Sequence, residues 1–249
     1  MKQVLIGSVL AVVWIMVSGC AQEPLQIPER IPTPIDSSTV GTIRGTVRFT
    51  GEIPESAALA LGGFPGCATQ HTEAPRDDSV LVRDGQLANV FVRIREGLEG
   101  KTFAVPTEPA VFDQKGCLYL PHVLGVQRYQ PVQVLNSDTL LHNAHSTPEK
   151  QEGFNFGQPV AGMVSVVQFR EEEVMVSVKC DVHGWMKAYI GVVDHPYFVV
   201  TPEDGSFQLP NVPPGTYTLE AWHEVFGTQT AEITVGDSED VVVDFSFSA

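Results

Sequence analysis

Basic side chains are scarce in this chain: 15 Lys and Arg stand against 30 Asp and Glu, a formal charge of −15 with histidine neutral. Nucleic acid and anionic lipid are therefore poor partners, whereas a basic protein would be drawn in by long-range steering that salt weakens. The chain has no glycine-rich phosphate loop and no nucleophile paired with a base, so nothing points to an enzyme or to a small-molecule substrate. After residue 40 no segment keeps a helical period for long. Long apolar runs are absent except at residues 4–17, a stretch too short to span a membrane comfortably as a mature helix.

That run follows Lys2 and ends in Ser18-Gly19-Cys20, the charged, apolar and small-residue order of a secretory signal. Val17-Ser18-Gly19-Cys20 resembles the lipobox of bacterial lipoproteins, whose cysteine is lipidated and becomes the first mature residue. The resemblance implies a signal peptide over 1–19, a lipid on Cys20, and a bacterial cell-envelope location facing the periplasm or the exterior. Pro24, Pro28, Pro32 and Pro34 interrupt the polar stretch 20–40, which predicts an extended tether. Removal of 1–19 takes away Lys2 and no acid, so the mature charge is 14 − 30 = −16.

From Gly41 the chain reads as all-β, with short Val-, Ile-, Phe- and Thr-rich stretches punctuated by Gly, Pro, Asp and Asn. Ile43, Gly45, Val47 and Phe49 alternate with Arg44, Thr46 and Arg48, the pattern of a strand with one buried face. Residues 80–82 and 87–94 flank Arg83-Asp84-Gly85-Gln86 and predict a hairpin. Further strands are expected at 132–135, 164–169, 174–180, 188–193, 197–201, 216–222, 230–235 and 241–247. Many short strands at this spacing point to sandwiches or barrels.

The chemistry concentrates in Cys180-Asp181-Val182-His183-Gly184-Trp185-Met186, a C-x2-H-x2-M run directly after a strand. Alternation places Val174, Val176 and Val178 on the face of Cys180, so the thiol emerges at the end of the core-facing row. A turn can then bring thiolate, imidazole and thioether together. These are copper's preferences: a soft thiolate for Cu(I), imidazole for both oxidation states, and a long, weak thioether. A second imidazole is needed, and His142 supplies it after the strand and polar loop that run through Asn136. His145 is the rival, but residues three apart on a strand face opposite sides, so the two cannot readily bind one ion. Structural zinc fits poorly because methionine is not a usual zinc ligand, and a binuclear copper centre would need a second cysteine in the loop.

These residues resemble the plastocyanin and amicyanin group of cupredoxins, type 1 (blue) copper proteins, over roughly residues 100–194. The resemblance implies equatorial ligands His142, Cys180 and His183, an axial Met186, and Asn143 tying the two ligand loops together. It also implies one copper ion and single-electron transfer to another exported redox protein, such as a cytochrome. Two departures are Gly184, where proline is frequent, and Glu172-Glu173, where Pro-Gly is common. Trp185 reads as loop packing or as part of an apolar docking patch around an exposed His183 edge. A copper carrier or storage protein would use the same ligands, and an envelope scaffold would not need Cys180 at all.

Of the other cysteines, Cys67 and Cys117 read as a disulfide in an exported protein; two buried thiols, or a second metal site with His122, are the alternatives. His122 otherwise reads as structural, and His71, His195 and His223 as surface or hydrogen-bonded. The stretch 198–222, with its Asp204-Gly205 and Pro214-Gly215 turns and Tyr217-x-Leu219 strand, resembles the carboxypeptidase regulatory-like (transthyretin-like) β-sandwich family. Gly41-Thr-Ile-Arg-Gly-Thr-Val47 looks like that family's opening strand. The expected fold is thus a cupredoxin Greek-key β-sandwich plus a second, small β-sandwich. The segments are 1–19, 20–40, 41–98, 99–194 and 195–249, and the third can pair with the last so that the cupredoxin is inserted.

Overall fold

The computed structural model describes Leu25 and residues 27–249. The signal peptide expected over 1–19 and the lipid expected on Cys20 fall on residues outside those described. The strands from the N-terminal side are β1 (Gly41–Thr50), β2 (Val82–Arg83), β3 (Gln86–Leu87) and β4 (Phe91–Glu96). The middle of the chain forms β5 (Ala110–Lys115), β6 (Leu118–Leu120), β7 (Val123–Gln127), β8 (Pro131–Asn136), β9 (His142–Thr147), β10 (Asn155–Gln158), β11 (Met163–Gln168), β12 (Glu173–Lys179) and β13 (Lys187–Val193). The last part forms β14 (Phe198–Val200), β15 (Ser206–Val212), β16 (Gly215–His223), β17 (Gly227–Val235), β18 (Asp240–Val242) and β19 (Phe245–Ser248). One helical turn, α1 (Pro65–Ala68), is the sole α-helix among the described residues, and no helix there is long and apolar enough to cross a membrane.

The strands make two sandwiches. An outer one sets β15-β1-β3-β2, with β18 and β19 also on β1, against β14-β4-β16-β17. Its core includes Ile43, Val47, Ile94, Leu209, Tyr217 and Leu219. An inner one sets β10-β9-β12-β13-β7 against β11-β8-β5-β6, around Phe112, Val132, Val134, Val176, Val178 and Ile190. The chain leaves the outer sandwich after β4 and returns in β14, which pairs with β4 antiparallel at Arg93–Phe198 and Phe91–Val200. The inner sandwich is therefore inserted between two neighbouring strands.

The glycines of β1 have a steric cause. A Cβ on Gly45 would stand 1.7 Å from the Val243 carbonyl oxygen, so only glycine lets the C-terminal strand run this close. That strand is broken, in contrast to the continuous stretch expected over 241–247. The Asp244 side chain accepts hydrogen bonds from the Thr46 backbone N–H (2.8 Å) and hydroxyl (2.9 Å), taking a ladder position and dividing β18 from β19.

Three other expectations are corrected. The hairpin is tighter than 80–94: β2 and β3 close on Asp84 and Gly85, with φ of 52° and 75°, the two left-handed positions of a type I′ turn. Leu87 and Phe91 then belong to different sheets, because Asn89 and Val90 turn the chain across to Thr201. Val174 leaves the core-facing row of β12, since the ladder shifts between Glu173 and Val176, and it packs with Met175 between the two sandwiches. The tether does not stay free to residue 40. Arg30 pairs with Asp194 and lies over the Tyr129 ring, Thr33 hydrogen-bonds Thr102, and Ile35 packs on the outer core.

The sandwiches meet at Phe91, Val123 and Val193 and at a polar clamp. His122 lies between Asp78 (3.3 Å) and Glu224, and Lys187 reaches Glu224 at 3.3 Å. These two carboxylates raise the His122 pKa against the opposing effect of burial. His195 and His223 are buried and hydrogen-bonded, their Nδ1 atoms accepting from Tyr197 and Val225 N–H, and burial lowers both to about 4.

An acid-sensitive stability follows. Unfolded, both histidines bind protons near pH 6.5; folded, they resist until about pH 4. Stability is therefore expected to fall as pH drops through this window, by on the order of 3 kcal/mol per histidine. His122 acts in the opposite sense, and its contribution, complete below pH 6.5, is lost only as pH rises through its raised value. Urea unfolding at pH 7 and pH 4.5 checks the expectation; equal stabilities would refute it.

Candidate metal centre

Val176 and Val178 anchor β12 in the inner core, and Cys180 follows at its end, 2% exposed. The loop after it closes on itself. Cys180 N–H donates to the Met186 carbonyl (3.1 Å) and Met186 N–H to the His183 carbonyl (2.9 Å), while His183 N–H points at the Cys180 sulfur (3.4 Å). Met186 is buried in the same apolar cluster as Cys180.

His142 opens β9 and is fully buried. The loop before it is shaped by Asn136, whose Nδ2 donates to the Leu140 (2.9 Å) and Gln158 (2.7 Å) carbonyls. His142 Nδ1 faces His183 Nδ1 at 3.0 Å, and His183 Nδ1 lies 3.8 Å from Cys180 Sγ. Ligand atoms of all three residues fall within 4.8 Å of one another. Two imidazole nitrogens this close need a proton or a cation between them, and a buried sulfur donor beside them favours a soft cation.

Asn143 joins the two ligand segments, its Oδ1 accepting from Asp181 N–H and its Nδ2 donating to Asn155 Oδ1 at 2.6 Å. His145 points away from the cluster, where its Nδ1 meets Asp181 Oδ2 at 2.9 Å. Burial pushes the Cys180 thiol up, but His142 and surrounding N–H groups outweigh it and hold the pKa below the ordinary value. Burial likewise opposes protonation of His142, yet Cys180 and Asp138 raise its pKa. His183 is lowered by burial and by His142.

The edge of His183 is not exposed, contrary to the docking patch expected around it; it is 3% accessible. A segment with no Asp, Glu, Lys or Arg between Ser56 and Thr72 covers it. The Phe64 ring stands 4.8 Å from His183 and 5.2 Å from Trp185, edge-on to both. Cys67, in α1, is bonded to Cys117, and both sulfurs lie within 4.8 Å of a His183 ring nitrogen. Trp185 Nε1 donates to the Cys117 carbonyl (2.9 Å), and His71 bonds the Gly116 carbonyl (2.7 Å). His122 takes no part in the centre.

Phe64 and Asp138 escaped the sequence reading. Asp138 Oδ2 lies 2.8 Å from His142 Nε2, and the available signal was an Asn-x-Asp turn four residues ahead of a candidate ligand.

The model of the carboxypeptidase regulatory-like domain family matches residues 187–248, well under half of the chain. No curated protein matches. Among similar solved structures is a Cu-containing nitrite reductase (NirK) from Thermus scotoductus SA-01, 19% identical over 41% of this chain and 26% of that one, with a TM-score of 0.34. The chain thus spans about a quarter of that reductase. Another is a mutant of amicyanin in its Cu(I) form, 20% identical over 41% of this chain and 97% of that one, TM-score 0.31. A purple cupredoxin from Nitrosopumilus maritimus is 21% identical over 33% of this chain and 98% of that one, TM-score 0.28.

Proposed function

We propose that this chain is a type 1 copper protein that carries single electrons between exported redox partners. The observation supporting this most directly is the buried convergence of His142, Cys180 and His183 at the ends of β9 and β12, with Met186 buried in the apolar cluster of Cys180. Copper held there would supply a one-electron couple. The residues present fit it: two Nδ1 atoms aim at one point, the thiolate is held by backbone N–H groups, and Met186 can give a weak thioether contact.

Each group has a distinct part. His142 and His183 would hold the ion from two different segments, and Asn143 ties those segments together through Asp181 N–H and Asn155. The cap around Phe64 excludes water. β9 and β12 restrain His142 and Cys180, which would limit rearrangement of these side chains when a bound ion changed oxidation state. With His142, Cys180 and His183 as donors and Met186 as a weak fourth, a bound ion would have little room for a substrate, which favours electron transfer over catalysis. The acid excess favours a partner with a basic face, such as a cytochrome. Anchoring through lipidated Cys20 would hold the body at a bacterial envelope membrane; an intact mass starting at unmodified Cys20, or at another residue, would count against it.

The test is the visible spectrum of the copper-loaded, oxidised protein, which should carry a strong thiolate-to-copper charge-transfer band. His142→Ala should weaken copper binding and alter that band, with partial rescue by added imidazole. His145→Ala should leave the band unchanged. The reverse pattern would overturn the ligand assignment.

A further inference from the structure

We infer that Asp138 is a positioning residue of this centre: its buried carboxylate holds the Nε2 proton of His142, turns Nδ1 to the metal and biases the site toward the oxidised ion. The inference rests on the copper reading above.

Asp138 is 3% exposed, and its charge is retained by donors from two directions. Oδ1 accepts from Gly116 N–H (2.8 Å), and Oδ2 accepts from Cys117 N–H (2.8 Å) and lies 2.8 Å from His142 Nε2. Its own N–H donates to Asn136 Oδ1 (3.0 Å). Among the described residues no Lys or Arg pairs with it; His142 is its single ion-pair partner. The carboxylate accepts and cannot donate, so the hydrogen on this contact belongs to His142. With Nε2 protonated, the neutral ring must present a bare lone pair at Nδ1, the atom 3.0 Å from His183 Nδ1.

A carboxylate on the far nitrogen makes an imidazole a stronger donor. His183 has no such partner among the described residues: its Nδ1 faces His142 and Cys180, and no carboxylate hydrogen-bonds its ring. The two imidazoles are therefore unequal, and the anionic support falls on His142 alone. A net negative environment favours the more highly charged metal state. Because Cys117 N–H is one of the donors, the turn that carries the disulfide also carries this carboxylate.

A merely structural Asp138 would cap the Gly116–Cys117 turn and leave the metal's oxidation preference untouched. Asp138→Asn keeps the size and an acceptor oxygen but removes the charge. It is expected to lower the affinity for Cu(II) relative to Cu(I) about tenfold, which raises the reduction potential by 59 mV for one electron. Asp181→Asn, which removes an equal charge from the ligand loop without touching a ligand imidazole, measures the unspecific charge effect and should shift the potential much less. Nitrogen-15 NMR of the metal-free protein should show His142 protonated at Nε2 in the wild type, with that preference lost in Asp138→Ala. Equal potentials for Asp138→Asn and Asp181→Asn, or a wild-type His142 protonated at Nδ1 instead, would overturn the inference. The NMR measurement on the wild type needs no variant to fold. Absence of the thiolate band would refute the copper reading and leave the NMR result to judge the carboxylate contact by itself.

Discussion

Cys180→Ser is expected to abolish the charge-transfer band and electron transfer while leaving the β fold in place. A serine hydroxyl is not a soft donor and does not ionise at neutral pH, so neither the colour nor the electronic path of a thiolate–copper bond can form. The neighbours that lower the Cys180 pKa have nothing comparable to act on in serine. The fold should survive because Val176, Val178, Ala188 and Ile190 still fill the core around that position. The cost is of order 1–3 kcal/mol for a buried hydroxyl with incomplete partners. Absorption and voltammetry of the copper-loaded variant, with circular dichroism for the fold, decide the matter. A variant that keeps the parent spectrum and redox activity would end the type 1 reading.

Replacing Cys67 and Cys117 together by alanine is expected to cost about 4 kcal/mol, the chain-entropy value for a closed loop of this length; the two cysteines are 50 residues apart in sequence. The effect should extend beyond stability. Phe64 stands three residues before Cys67 and rests on His183 and Trp185, so releasing the bridge frees the cover from the ligand edge. Faster reaction of the copper-loaded variant with small anions or imidazole is the accompanying sign. Urea unfolding measures the first effect and stopped-flow absorption the second. A variant of parental stability whose copper stays as well protected would show that the cap is held by its own packing.

Local pattern made part of this centre legible before any coordinates. Cysteine, histidine and methionine lie in one seven-residue loop, and the opposition of His142 and His145 follows from strand alternation. His142 is buried against His183, and His145 turns to Asp181 instead. Phe64 and Asp138 were hidden for different reasons. Phe64 reaches His183 only through a covalent link between distant segments, so its neighbours in sequence carry no hint of a ligand. Asp138 looks like any loop acid until the turn at Gly116 and Cys117 is brought against it. In the fold, alternation identified β1 and most of β12. It failed at Val174, where a ladder irregularity cancels the period, and in residues 110–127, where charged, glycine and proline residues interrupt every apolar run.

The insertion also orders how the molecule assembles. The outer sandwich is written in two pieces, and pairing β4 with β14 before anything else has formed would close a loop of about 100 residues, a loss on the order of 4 kcal/mol. Once the inner sandwich is built, its two ends already lie next to each other, and the same pairing costs almost nothing in chain freedom. A formed inner sandwich therefore lowers the entropic cost of joining β4 to β14. Any ligand that binds the folded inner unit raises the population in which the outer strands can meet.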